Sequence, residues 1–259
     1  MYVRGHMLTE QRRRAVLHAI RSEAGVQTTH LADRFGVSEM TIRRDLDELA
    51  EQGLVRRVHG GAVTPRPMRD EPPFDATRVE REPAKQRVGA LAAGMVRPGD
   101  TVIIDIGTTA LQVARHLHRR PGLTIVTNNM AVYEEFIDDE TVDLLLVGGL
   151  LRRNYRSLTG FLTEDSLRGI RADLVFLGIS GVSEDLALLD TTVEEIQTKR
   201  AMLRAAEHRV LIADGAKFWG RGLGRVAGID AVQTVITTDD APEDRLEAIR
   251  DHGVEVRIA

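Results

Sequence analysis

Cysteine is absent from the 259-residue chain, which excludes disulfides, thiolate zinc sites and cysteine nucleophiles. There is no run of eighteen apolar residues, so no membrane-spanning helix is expected. The opening MYVRGHMLTEQRRR lacks the apolar centre of a secretory signal, and a cytoplasmic location is the expectation. RGHM before Leu8 reads as a tag remnant, which puts the native start near Met7. No H-E-x-x-H, P-loop or nucleophile elbow occurs to argue for an enzyme of those classes, and neither a metal nor a cofactor is expected. His30, His116 and His118 are isolated and read as surface or packing residues. Lysine is scarce: only Lys85, Lys199 and Lys217 among 35 basic residues, a bias that genome composition explains as readily as function.

What is present is ordinary for a soluble globular protein, 42% apolar and 29% charged, with room for a small domain joined to a mid-sized one. Charge is unevenly placed. Residues 1–66 hold 11 arginines against 8 acidic residues, while the remainder holds 24 basic against 31 acidic. A basic head on an acidic body suggests that only the head meets a polyanion. Five of the eight prolines fall between Pro65 and Pro83 and predict an extended linker over 64–83. The expected division is a small domain over 7–63, this linker, and a larger domain over 84–259.

Three short helices are predicted before the linker. Arg13, Val16, Leu17 and Ile20 mark the first, with Thr9 at its start. Leu31, Ala32 and Phe35 mark the second, between Thr28 and Gly36. Ile42, Leu46 and Leu49 mark the third, with Ser38 as N-cap and Gly53 after its end. Ile42, Leu46 and Leu49 share one face, so Met40, Thr41, Arg43 and Arg44 project elsewhere from its first turns. This helix-turn-helix spacing lets the third helix enter a major groove. LVRRVHGGAV then offers two short strands around His59-Gly60-Gly61, a wing that Arg56, Arg57 and His59 would decorate. The competing reading is a small helical bundle with merely solvated arginines.

After the linker, β-branched apolar runs at 101–106, 123–127, 142–147, 172–179, 209–214, 232–238 and 254–258 alternate with helical patterns at 109–118, 130–137, 162–170, 193–207 and 242–251. That alternation predicts a mostly parallel sheet covered on both faces. Ligands in such sheets sit where strands end. In TVIIDIGTTALQVARHL the strand ends at Asp105, Gly107 permits a tight turn, and Thr108-Thr109 open a helix. Free amides and two hydroxyls at a helix N-terminus suit a phosphate. Asp105 would repel it and is expected instead to accept hydrogen bonds from ligand hydroxyls. Asn128, Asn129, the Gly148-Gly149 pair, LGISGV and LIADGAKFWG mark further strand ends. Asp214 and Lys217 join the candidates, with Lys199 and Arg152, whose bland alternatives are a solvated helix and a subunit contact.

VSEMTIRRDLDELAEQGLVRRVHGGAV, 27 residues from Val37 to Val63, resembles the winged helix-turn-helix of the DeoR family of bacterial transcriptional regulators, with its V-S-x-x-T-I-R-R-D-L, G-L and basic H-G-G-A elements. The resemblance implies a DNA-binding repressor with Ser38, Thr41, Arg43 and Arg44 at the operator. Asp45, inside the same motif, is expected to pin an arginine or a helix end. Residues 84–259 resemble the family's C-terminal sensor domain through D-x-G-T-T, V-T-N, G-G, G-x-S-G and D-x-x-K-F in order. That implies a fold like ribose-5-phosphate isomerase, a phosphorylated-sugar effector, and self-association as a homodimer or homotetramer on double-stranded operator DNA. LALLDTTVEE departs from the family's usual G-L-T-T, with Leu189-Asp190 before Thr191. ADGAKFWG departs from D-x-S-K-F-G at Gly215-Ala216 and Trp219.

The rival reading is a sugar-phosphate isomerase-like enzyme with Asp105, Asp214 or Glu194 as base and Lys217 stabilising an enediolate. It rests on fold analogy alone. An isomerase has no use for Arg43, Arg44 and a basic wing, so no enzyme is expected.

Overall fold

Ile42, Leu46 and Leu49 pack with Val16, Ile20, Leu31 and Ala62 into one small apolar core. The structure, a computed structural model, describes residues 9–22, 25–51, 55–58, 60–63, 72–220 and 222–259. The chain divides into two compact units, within residues 1–67 and 68–259. In the first, α1 (Thr9–Ser22), β1 (Gly25–Gln27), α2 (Thr28–Phe35) and α3 (Glu39–Glu51) precede the strands β2 (Arg56–Val58) and β3 (Gly61–Val63). Gly36 ends α2 at φ +64°, in the left-handed region. The predicted hairpin forms and gains a third strand, in the order β1-β3-β2. That third strand, the tripeptide GVQ, is too short to carry a strand signal. Its approach explains Gly61, where a Cβ would lie 2.3 Å from the Val26 carbonyl oxygen. His59 and Gly53 lie outside the described residues.

The second unit begins with α4 (Phe74–Val79) and α5 (Glu82–Ala93), then β4 (Thr101–Ile104), α6 (Thr108–Arg115), β5 (Thr124–Thr127), α7 (Met130–Phe136) and β6 (Asp143–Leu146). A hairpin of β7 (Leu150–Arg152) and β8 (Ser157–Thr159) follows, with α8 (Phe161–Arg168), β9 (Ala172–Leu177), β10 (Gly181–Val182) and β11 (Ala187–Asp190). The chain continues through α9 (Val193–Ala205), β12 (Ala206–Ile212), β13 (Gly224–Gly228), β14 (Thr234–Thr237), α10 (Glu243–Asp251) and β15 (Glu255–Ile258).

All seven predicted runs join one sheet in the order β15-β14-β12-β9-β4-β5-β6, every pairing parallel. Alternate residues supply two cores. Val102 and Ile104 pack with Val88, Leu111 and Val132 on one face, and Ile103 packs with Met202, Leu246 and Ile249 on the other. Both faces are buried, which is why these strands read as continuous apolar runs. Strand order reverses between β4 and β9, the switch point where a crevice opens at the carboxyl ends.

Three features were not anticipated. Residues 74–79 and 82–93 are helical, which corrects the extended conformation expected as far as residue 83; residues 64–71 lie outside the described part. Pro73 at the N-cap of α4 and Pro83 in the first turn of α5 occupy positions where a missing N–H costs nothing. Phe74 is buried edge-on to Tyr155, which anchors α4 to the β7–β8 turn. The remaining additions are the β7–β8 hairpin and a small antiparallel sheet β10-β11-β13. Among the described residues, no helix is long and apolar enough to cross a membrane.

Candidate functional site

In the first unit, Ser38 caps α3: its Oγ accepts from the Thr41 amide at 3.2 Å and lies 2.9 Å from Thr41 Oγ1. Met40, Arg43 and Arg44 stand exposed on the first two turns, opposite the buried Ile42, Leu46 and Leu49. Arg43 touches Glu39 at 3.3 Å, an exposed i,i+4 pair of little energetic weight that a phosphate can displace. Asp45 faces inward, 2% exposed, and takes Arg12 Nε at 2.6 Å and Arg13 Nε at 3.1 Å. It therefore clamps α1 to α3, the structural role its sequence position suggested. Arg57 is turned back from the wing, with Nε 3.0 Å from Asp47 of α3. The side chains of Arg56 and His59 lie outside the described residues.

In the second unit a small open cleft lies at the ends of β4 and β9, the place where parallel sheets take their ligands. Gly107, at φ +97°, precedes α6, and the cleft is lined by Gly107, Thr108 and Thr109. The first amides of a helix have no intrahelical acceptor and carry the positive end of its dipole. Thr77, Lys85, Tyr155, Ser180, Asp190, Lys199 and Lys217 complete the polar lining. Every lysine of the chain therefore lines this one cleft.

Lys199, on α9, is fully buried and contacts Asp105 Oδ2, the Gly178 carbonyl at 2.9 Å and Asp190 Oδ2 at 3.5 Å. Burial opposes its charge, but Asp105, Asp190 and Glu195 outweigh that and hold its pKa above the ordinary lysine value. Asp105 lies beneath the lining. Its Oδ2 accepts from the Gly178 amide at 2.9 Å as well as from Lys199, which ties the β4 loop to the β9 loop across the switch point. Burial pushes its carboxyl upward against the pull of Lys199. Glu195, one turn before Lys199, is fully buried and takes Arg152 at 2.5 Å and Ser157 Oγ at 2.7 Å. Burial raises its pKa to about 7 despite Lys199 and Arg152. Lys85 donates to the Thr77 carbonyl at 2.5 Å, and burial lowers its pKa to about 8.

Of the residues singled out from sequence, the structure brings Gly107, Thr108, Thr109, Lys199 and Lys217 into the lining and leaves the others behind it. Asn129 caps α7 through Oδ1, while its Nδ2 donates to the Asp105 and Gly107 carbonyls at 3.3 and 3.4 Å, bracing the loop. Asn128 donates to the Leu158 carbonyl at 2.8 Å and stitches the sheet to the hairpin. Gly149 is pressed on α8, where a Cβ would lie 2.2 Å from Thr163 Oγ1. Arg152 is held by Glu195 and sits over the Tyr155 ring. Asp214 caps the turn Gly215–Trp219 and takes Arg81 Nε at 3.0 Å. Thr77, Lys85, Tyr155 and Asp190 were missed. Only the rarity of lysine, and the departure from family pattern at Leu189-Asp190, pointed toward two of them.

Residues 12–67 match the DeoR-like helix-turn-helix domain and residues 80–239 the DeoR C terminal sensor domain. The chain belongs to the DeoR family. Its DNA-binding head thus runs from α1 through the wing, and its DeoR sensor domain contains the cleft, the architecture of a transcriptional regulator. The glycerol-3-phosphate regulon repressor of Escherichia coli K12 is 34% identical over 97% of this chain and 100% of its own. The transcriptional repressor AccR of Agrobacterium fabrum is 34% identical over 93% of each. Ribose 5-phosphate isomerase A of Methanocaldococcus jannaschii superposes on 53% of this DeoR-family chain and 54% of its own, at 17% identity and a TM-score of 0.39, a likeness too distant to argue from.

Proposed function

We propose that this protein represses a sugar-catabolic operon and loses operator affinity when a phosphorylated sugar occupies the sensor cleft. The observation that carries this reading is the convergence of all three lysines on a cleft that opens at the N-terminus of α6. In this reading the phosphate sits at Gly107, Thr108 and Thr109, between Lys85 and Lys217, where amides and cations act together. Asp105, Asn128, Asn129, Gly149, Arg152 and Asp214 position the walls. The operator is read by Ser38, Met40, Thr41, Arg43 and Arg44, with Arg56, Arg57 and His59 on the wing. A homodimer or homotetramer reads paired half-sites. The name of the Escherichia coli relative, a glycerol-3-phosphate regulon repressor, is in line with a small hydroxylated phosphate ester.

We read the protein as a cytoplasmic regulator and not an enzyme. Asp105 and Asp214 are engaged by Lys199 and Arg81, and Glu194 is exposed at the start of α9, so none of the three stands ready as a base in the cleft. The test is calorimetric titration of phosphorylated sugars, chosen by a thermal-shift screen, against their dephosphorylated counterparts. Charge-assisted hydrogen bonds of about 1.5–3 kcal/mol each predict at least tenfold weaker binding without phosphate. Lys217→Met is expected to lose the same preference while changing stability by less than about 0.5 kcal/mol. Equal affinities for both forms would remove the phosphate from the reading.

A further inference from the structure

Charge in the cleft falls into two sets. Beyond the cost of burial, Lys85 feels the charges of Asp214, Lys217, Glu80 and Arg81, whereas Lys199 feels those of Asp105, Asp190 and Glu195. Among the described residues, neither Lys85 nor Lys217 forms an ion pair. The second set differs in kind. An ammonium group has three donors, and those of Lys199 face Asp105, the Gly178 carbonyl and Asp190. The charge of Lys199 is therefore already matched by buried carboxylates of its own domain before a ligand arrives.

Asp190 has capacity to spare. Its Oδ1 accepts from the Thr191 amide at 2.7 Å, and its Oδ2 stands 3.5 Å from Lys199 without a hydrogen bond to it. A carboxylate offers about four acceptor sites. Asp190 lines the cleft while Asp105 and Glu195 sit behind it, so it is the carboxylate a ligand meets. The neighbouring carboxylates Asp105, Asp190 and Glu195 face two cations, Lys199 and Arg152, which leaves this set without net positive charge.

We propose that Asp190 is a specificity-determining residue: it accepts a hydroxyl of the effector and rejects any effector bearing a second anion. The ligand class is then a phosphate monoester whose remaining, hydroxyl-bearing part is uncharged. Sugar-acid phosphates and bisphosphates are excluded because their second anion would meet the Asp190 carboxylate in a set of side chains without net positive charge. A site built to accept from a hydroxyl discriminates strongly against a group that cannot donate. The proposal rests on the reading that the cleft takes a phosphorylated sugar.

The test uses the full chain and calorimetric titration with pairs that differ only by a terminal CH₂OH or carboxylate: glycerol 3-phosphate with 3-phosphoglycerate, and sorbitol 6-phosphate with 6-phosphogluconate. Fructose 1-phosphate and fructose 1,6-bisphosphate form a third pair. In the pair that binds, the member without a second anion should do so at least tenfold more tightly. Asp190→Asn, which keeps shape and removes charge, should narrow that gap to within threefold, with folding verified by thermal denaturation. Should that variant fail to fold, the wild-type ratio still decides. Equal wild-type affinities, or a gap unchanged in folded Asp190→Asn, would overturn the role of Asp190. Binding by no phosphate ester at all would overturn the sugar-phosphate reading and this proposal with it.

Discussion

In the head, Arg43 and Arg44 stand in solvent on the first turns of α3, and the ion pair of Arg43 with Glu39 is exposed. In the body, Lys85 and Lys199 are 2% exposed, and both are held by atoms of their own domain. The difference follows from the partner. Duplex DNA brings a dense row of phosphates and displaces loosely held counter-charges, so exposed arginines suffice. A small effector brings one or two charges, and a cleft gains affinity from cations already desolvated and oriented before it arrives. Buried carboxylates that depend on Lys199 make this cation part of the fold itself, so the two regions should respond to mutation in opposite ways.

The largest effect is expected at the buried charge cluster of the body. Lys199→Met leaves Asp105, Asp190 and Glu195 buried without their shared cation, a loss of about 3–5 kcal/mol. Scanning calorimetry should show a fall in melting temperature on the order of 10 °C. Adding Asp105→Asn should recover part of it. A fall of under about 2 °C would mean that the carboxylates do not depend on Lys199. In the head, Arg43→Ala or Arg44→Ala should leave stability almost unchanged and weaken operator binding. A base contact costs about 1–3 kcal/mol, and a phosphate contact lowers the salt slope by about one unit. Unchanged binding across a salt titration would mean that α3 does not read the operator.

The same contrast explains what was legible in the sequence. The head is encoded locally: Ser38, the arginines, Asp45 and the hairpin glycines fall within 27 residues, and helical periodicity alone separates the buried from the exposed ones. The seven sheet strands were equally readable, because burial on both faces leaves uninterrupted apolar runs. The cleft was readable where the chain makes it locally, at Gly107-Thr108-Thr109, and at the rare lysines Lys199 and Lys217. Lys85 arrives from a helix whose start is hidden among prolines, Tyr155 from a short hairpin, and Asp190 from a strand added to a small second sheet. No pattern within a window of sequence encodes their meeting. Conversely, Asn129 and Asp214 looked like ligand groups because polar residues at strand ends usually do, whereas their atoms cap a helix and a turn.

A smaller effect sharpens the comparison through pH. Burial lowers the pKa of Lys85 to about 8, so its charge disappears as pH rises through that value. Phosphate-ester affinity should fall between pH 7 and 9 by up to about tenfold, since the ester is already dianionic there. Lys85→Met should bind weakly at both pH values and show no such fall. Stability should move the other way. The unfolded lysine titrates near 10.5, so the unfolded chain binds more protons between about pH 8 and 10.5, and Lys85 makes the body more stable as pH rises across that window. The arginines of the head keep their charge throughout, so operator affinity without effector should not follow this titration.

The most direct measurement joins the two regions: titrate the phosphate ester that binds the body in the presence and absence of saturating operator DNA, at one salt concentration. Linkage requires each ligand to change the affinity of the other by the same factor. The expected result is effector binding weakened at least fivefold by operator, roughly 1 kcal/mol of coupling, matched by an equal loss of operator affinity when effector is present. Identical effector affinities with and without operator would contradict an effector-gated repressor.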